Sequence, residues 1–417
     1  MASRASAIHV RVNPPALGDS SLVQQPVSVV AVLLIVLAIL FALERHKVAG
    51  KLFKYVPLLV FAYFTPAVLS NIGVIPLQSD AYGFIKKYIL PMSLVLLILP
   101  VDVFAIARLG RNAVLMFLTG TVSVILGGPL AYLAFGWLVP ESIGVEAWKG
   151  LAALSGSWIG GGANFVAVGA SVGALDSTLS MMVVVDVAVA NVWMAALLYF
   201  AGQEKRLDEK IGADRSTIDR VRLETEQFQG SVARVGTLAD LLSIFAIGLG
   251  VTVVSTAIAG VLPNIGSIIN GFTWVVLLVT TFALGLSFTP LRKLEGAGAS
   301  RMGSVFLYLL FASIGANAEF RKVLAAPALL IIAAAWISLH ALSMFAVRRL
   351  IRAPVFFLAV GWQANIGGAA SAPVVAAAFH PSLAPIGVVL AIGGYVLGTY
   401  GGLLSAALLE QVHLLLH

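Results

Sequence analysis

Trp158-Ile159-Gly160-Gly161-Gly162-Ala163-Asn164 can be laid without a gap on Asn365-Ile366-Gly367-Gly368-Ala369-Ala370-Ser371. Ile, two Gly and one Ala match, and a polar residue follows at the same place in each run. Each run lies in the second-last apolar block of its half of the chain. Earlier in each half, Leu99-Pro100-Val101-Asp102-Val103-Phe104 resembles Gly315-Ala316-Asn317-Ala318-Glu319-Phe320, with an acidic or amide residue just before a Phe. The chain therefore reads as an internal repeat. Consecutive glycines cost roughly 1 kcal/mol each against Ala in a helix interior. Pro373 removes a donor and clashes one turn back. These costs predict that the chain leaves the helix over 156–164 and 361–373.

Composition says what surrounds those breaks. Hydrophobic residues make up 60% of the 417 positions and charged residues 11%, and the mean hydropathy is +1.00. Soluble domains run at about 45–50% apolar and about 25% charged, so this chain has too little polar surface to clothe a soluble particle. A membrane span needs about 20 apolar residues. Blocks near that length recur at 24–43, 55–75, 88–107, 112–138, 150–173, 178–202, 237–261, 272–289, 302–317, 324–347, 354–379 and 384–409, giving twelve candidates. The expected fold is an all-α polytopic bundle in a lipid bilayer, in the inner membrane of a bacterium. The first block, after a polar start with Pro14-Pro15, reads as a retained span rather than a signal peptide.

The net charge of +7 carries no nucleic-acid signal, because Lys and Arg sit in connecting segments as the positive-inside rule expects. From Gln203 to Gly236 seven basic and seven acidic residues gather. This stretch reads as a solvated linker between a first repeat, 1–202, and a second, 237–417. The charges conflict with the count, however. Basic loops at 44–54 and 108–111 put the linker outside, whereas Arg292, Lys293, Arg301, Arg348, Arg349 and Arg352 put it inside. Inverted repeats also need an odd number of crossings between matched elements, and the count gives six. The segments 55–75 and 272–289 are the suspects.

Glycine and amide residues inside apolar blocks point to a binding site. An unpaired backbone group in hydrocarbon costs several kcal/mol, so irregular backbone survives there only when protein buries it or it lines a watery cavity. Broken helices in matching places of two halves are the best sequence pointer to a transporter site. The candidate substrate- and ion-binding residues are Ser157, Gly160, Gly161, Gly162, Asn164, Gln363, Asn365, Gly367, Gly368 and Ser371. The bland alternative is that the glycines only let helices approach. Asp186 joins the set because it lies about eight residues into its block, roughly 12 Å deep at 1.5 Å per residue. A carboxylate at that depth is costly, so a proton or Na⁺ relay competes with a hydrogen-bonded structural role.

Gly156 to Ala167 followed by the Val185-Asp186 block, and Gly303 to Phe320 followed by Gly361 to Pro373, resemble the YjcL-like membrane proteins of domain-of-unknown-function family 819. The resemblance covers nearly the whole chain. It implies a place in the cation:proton antiporter and anion transporter superfamily. With that come two crossed broken helices in a core beside a panel or dimerisation domain, elevator-like alternating access and a homodimer. In sodium–proton antiporters the ion-binding Asp lies on the helix after the first broken one, the place Asp186 occupies.

The expected function is ion-coupled transport of a small-molecule substrate, with H⁺ or Na⁺ as coupling ion, no cofactor and no metal beyond a transient Na⁺ at Asp186. A passive channel is the alternative. A scaffold or a membrane enzyme is the remoter one, since the six His form no HExxH set and there is no Cys nucleophile.

Overall fold

The computed structural model describes residues 21–54, 58–102, 104, 109–213, 218, 235–265, 269–317, 327–379 and 383–416. Regular structure among them is helical. In the first half α1 is Pro26–Arg45, α2 Leu58–Asn71, α3 Asp80–Ile98, α4 Arg111–Phe135, α5 Gly144–Gly160, α6 Gly162–Ser171 and α7 Asp176–Gly202. A short α8, Glu204–Glu209, opens the joint. In the second half α9 is Leu238–Ala259, α10 Gly271–Ser287, α11 Ala299–Ala316, α12 Pro327–Ile351, α13 Val355–Ile366, α14 Gly368–Phe379 and α15 Ala384–Leu416. Of the charged linker, 214–217 and 219–234 lie outside the described residues. So do Val103, Ala318, Glu319 and Phe320 of the shorter repeat.

All twelve apolar blocks are helical, but not all are spans. Among the described residues eight helices are long and apolar enough to cross a membrane, or nine if α10 and the 3₁₀ segment Pro290–Ala297, bent by 95°, count as one. The chain is thus a multi-pass membrane protein. The remaining blocks are the short α2 and the two pairs α5/α6 and α13/α14. In α1 and α9 only 22% of the apolar window is buried within the protein, leaving the rest of their surface to lipid. Hydroxyls on α9 bond back to their own backbone, as Ser243 does to the Ala239 carbonyl and Thr256 to that of Thr252. That satisfies them without water.

The breaks are narrower than the sequence suggests. The first is confined to Gly161, with φ +75° and ψ −172°. The second is confined to Gly367 and Gly368, the latter with φ +59°. The stretches 156–160, 162–164, 361–366 and 369–373 stay helical, and Pro373 sits inside α14. The helices tolerate this because the lost hydrogen bonding is local and the glycines are packed against neighbouring backbone. A β-carbon on Gly387 of α15 would meet the Ala372 carbonyl at 2.6 Å and the Pro373 nitrogen at 2.7 Å.

Both pairs fold back on themselves. In α5/α6 a β-carbon on Gly156 would lie 2.5 Å from the Asn164 carbonyl oxygen and 3.0 Å from Val168, while one on Gly169 would lie 3.1 Å from Ala153. The two arms therefore run antiparallel. In α13/α14 the Gln363 amide donates to Ser371 Oγ at 2.7 Å, across eight positions that would be about 12 Å apart in a continuous helix.

The helices around these pairs have readable directions. Helices α4 and α12 are antiparallel, since Ser123 meets His340 while Gly128 packs on Trp336. Helices α7 and α12 are parallel: Trp193 donates to the Ile337 carbonyl, and Phe200 faces Phe345 at 5.5 Å. Helices α4 and α15 are parallel, with Ser405 bonded to the Ile125 carbonyl and Tyr132 to His413. The helices flanking each hairpin, α4 with α7 and α12 with α15, are consequently antiparallel to one another. In packing, α1, α2, α3, α9, α10 and α11 lie on one another, and so do α4 to α7 with α12 to α15.

The joint is not wholly solvated. Asp208 of α8 is buried, bonds the Arg348 guanidinium at 2.9 Å, and accepts the Val355 N–H at 2.8 Å. It caps the start of α13 at a point where that N–H has no partner within its own helix.

Candidate functional site

The two hairpins meet at their tips. A β-carbon on Gly161 would lie 3.6 Å from the Gly368 Cα, and one on Gly368 would lie 3.7 Å from the Gly161 Cα. These are the two residues that the ungapped repeat places opposite each other. Tyr395 of α15 completes the meeting point, 3.7 Å from the first position and 4.0 Å from the second. Helices α6 and α14 both begin here, so two positive helix ends share one place, a setting that favours negative charge.

The surrounding amides are engaged by protein. Asn164, fully buried, donates to the carbonyls of Gly160 and Tyr395 at 3.0 Å each and accepts from Thr399 at 2.7 Å. Asn365, also fully buried, donates to the carbonyls of Phe117 and Gly361 and accepts from Thr121 at 3.0 Å. Each asparagine thus clamps a hairpin to a neighbouring helix. Gly160 is pressed against Asn164, Gly394 and Gly398; Gly162 against the Phe311 ring; and Gly367 against Ser371 and Gln363. Glycine at 160 and 367 is demanded by these approaches, whatever else it does.

Asp186 belongs to the same assembly. It lies ten residues into α7, which begins at Asp176, roughly 15 Å along the helix axis. Ser157 Oγ donates to its Oδ2 at 2.6 Å, and Trp158 Nε1 to its Oδ1 at 2.8 Å. The Ser157 carbonyl in turn accepts the Gly161 N–H at 2.7 Å. The carboxylate is therefore two hydrogen bonds from the first hinge. Among the described residues no group of three or more His, Asp or Glu gathers in a way that could hold a metal ion.

The sequence reading missed two features. Tyr395 carried a signal, an aromatic directly after Gly393-Gly394 in a block rich in small residues. His340 carried none. It is fully buried on α12, with Nδ1 2.6 Å from Ser123 Oγ and its ring 4.3 Å from Trp362; among the described residues neither its Nε2 nor Trp362 Nε1 has a partner.

Residues 31–412 match a family described as a protein of unknown function, DUF819. The chain belongs to that family. A curated relative is 26% identical over 355 residues, covering 80% of this chain and 85% of the relative, and is called the uncharacterized membrane protein YjcL of Bacillus subtilis (strain 168). The DUF819 match covers both hairpins, Asp186 and Tyr395 alike.

Proposed function

We propose that the protein is an ion-coupled secondary transporter of a small solute in the bacterial cytoplasmic membrane, with two inverted repeats. The observation that carries this reading is the pair of helical hairpins touching at Gly161 and Gly368. If the hairpins enter and leave on the same side, neither counts as a crossing. Helix α12 is then the fifth span after its counterpart α4, the odd offset that inversion needs, and the hairpins enter from opposite sides. The miscount would lie in the broken segments themselves, not in 55–75 or 272–289.

Charge supports the same assignment. With the hairpins removed from the count and the short α2 taken as a crossing, Lys47, Lys51, Arg111, Arg292, Lys293, Arg301, Arg348, Arg349 and Arg352 all fall on one side, with the linker. That side is the cytoplasm by the positive-inside rule. Contacts between helix ends agree. Asp102 pairs with Arg292 at 3.1 Å and Asp208 with Arg348 on that side. On the other side Asn270 bonds the Ser171 carbonyl, Lys86 pairs with Asp176, and Tyr132 meets His413. The same topology puts Lys86, Lys87, Lys149, Arg321 and Lys322 outside, fewer than the inner set, and of these Lys86 and Lys149 are each paired with a carboxylate.

The two packing groups support a core carrying both hairpins beside a panel of α1–α3 and α9–α11. In this reading the core shifts against the panel as a unit, as an elevator does, and the panels of two copies form a homodimer. Asp186 carries H⁺ or Na⁺ and passes its state to the hinge through Ser157. Broken helices at a shared site are the general device of secondary transporters. A passive pore would share the hairpins but would need no titratable group wired to one of them.

The test is reconstitution into liposomes, with solute uptake or solid-supported-membrane currents recorded from a panel of metabolites under imposed pH and Na⁺ gradients. Gradient-dependent accumulation of one class is expected. Flux that equilibrates without a gradient would favour the pore.

A further inference from the structure

A second polar place lies away from the hairpin tips, on the outer side by the topology just argued. It is a cavity of about 230 Å³ between the start of α3, the start of α7 and the end of α11. Its lining residues include Lys86, Asp176, Ser79, Ser313, Gln78 and Asn317; Ser313 donates to the Leu310 carbonyl and Asn317 to that of Ser313. Drug-sized pockets run at about 300–1,000 Å³, so this one suits a smaller solute. Lys86 belongs to the panel group and Asp176 to the core group, so the cavity straddles the seam between them. It also adjoins the first hairpin. Leu310 and Ile314 of α11 line it, and Phe311 between them lies against Gly162 and stacks near Phe165 at 6.5 Å.

We propose that this cavity binds the zwitterionic head of a small amino acid, its carboxylate on Lys86 and its ammonium on Asp176. The proposal rests on the transporter reading for its purpose, and names the class of solute.

Charge balance favours a zwitterion. Lys86 Nζ and Asp176 Oδ1 are 3.3 Å apart, with side chains 35% and 31% exposed. A partly solvated ion pair of this kind contributes little to stability, so it opens readily. A zwitterion inserted between the two replaces one ion pair with two and leaves no charge unmatched. An anion alone would bond Lys86 and strand Asp176 beside a like charge; a cation alone would do the converse. The other Asp176 oxygen has no hydrogen-bond partner among the described residues, and neither does Gln78. The neutral amides and hydroxyls around the pair fit a polar, uncharged side chain.

The experiment uses the purified full chain in detergent. Thermal shift and equilibrium binding are read with the twenty common L-amino acids, and then with L-serine against its one-charge analogues ethanolamine and 3-hydroxypropionate. Small neutral amino acids are expected to raise the melting temperature, with both analogues at least ten-fold weaker. Lys86→Gln and Asp176→Asn are each expected to weaken binding at least ten-fold at an unchanged melting temperature of the free protein. Should Asp176→Asn fail to fold, Lys86→Gln and the analogue series decide the matter. No response to any amino acid, analogues that bind as well as serine, or affinity unchanged in Lys86→Gln would overturn the proposal. Uptake of some other solute that Lys86→Gln leaves intact also overturns it while the transporter reading stands. Amino-acid binding that Lys86→Gln abolishes, with no uptake into liposomes, supports the site and counts against transport.

Discussion

Ser157 and Asp186, on two different helices, are joined by a 2.6 Å hydrogen bond from hydroxyl to carboxylate. The bond ties the acid of α7 to the arm of the first hairpin, one turn before its hinge. Asp186→Asn keeps the shape and an acceptor for Trp158, and its amide can bond Ser157. Stability is expected to change by no more than about 1 kcal/mol, the net worth of an ordinary hydrogen bond. Uptake driven by a pH or Na⁺ gradient is expected to stop. Because ion and solute affinities are reciprocally linked, the Na⁺ or pH dependence of solute binding should vanish as well. A variant titrating like wild type from pH 5 to 9 would make Asp186 a structural carboxyl.

The hinges should be sensitive to the smallest side chain. Gly161 has φ +75° and ψ −172°, a region open essentially to glycine alone, and Gly161→Ala is expected to cost about 1–3 kcal/mol. Gly368→Ala, at φ +59°, should cost about 1–2 kcal/mol. Gly250→Ala on α9, with open space around it, should instead stabilise by about 0.5–1 kcal/mol. Thermal melting of the three variants in detergent gives the ranking. Equal melting temperatures would mean that the hinges are not held in these conformations.

The joint should matter to stability. Asp208 and Arg348 have side chains only 2% and 7% exposed, and removing one partner of a buried pair costs about 3–5 kcal/mol. Asp208→Ala is expected to lose that much, and Asp208→Ala with Arg348→Met to recover most of it. A single variant as stable as wild type would show the pair to be solvated.

The absence of cysteine makes topology directly measurable, since each introduced thiol is the sole one. In intact cells an impermeant maleimide is expected to label Lys149→Cys and Gln78→Cys. Lys51→Cys, Lys293→Cys and Arg349→Cys should react only after permeabilisation. Labelling of Lys149→Cys and Arg349→Cys from the same side would remove the inversion.

Much of this was legible in the residues. The pairing of Gly161 with Gly368 came from an ungapped alignment and turned out to be a physical contact. Asp186 was found by its depth. The return of each hairpin was not legible, because hydropathy reports length and apolarity but not direction: α5 with α6 reads the same whether it crosses or turns back. The unwound stretches were drawn too wide because glycine cost was counted at every glycine, whereas Gly156, Gly160 and Gly367 answer to close approach. The burial of Asp208 was hidden in a segment whose composition is that of a solvated linker. Nothing in the spacing of Lys86 and Asp176, ninety positions apart, announced that they meet.

The packing of α5 on α15 also bears on how the chain is made. Gly156 and Gly160, on the first hairpin, lie against Gly402, Gly394 and Gly398 of the last helix. The arms of that hairpin are 17 and 10 residues long, short of the about 20 residues of an ordinary span. They must wait, half-housed, while the entire second half is synthesised. The glycine face of the first hairpin is thus covered only once α15 is in place, and a chain cut before Ala384 would leave that face bare.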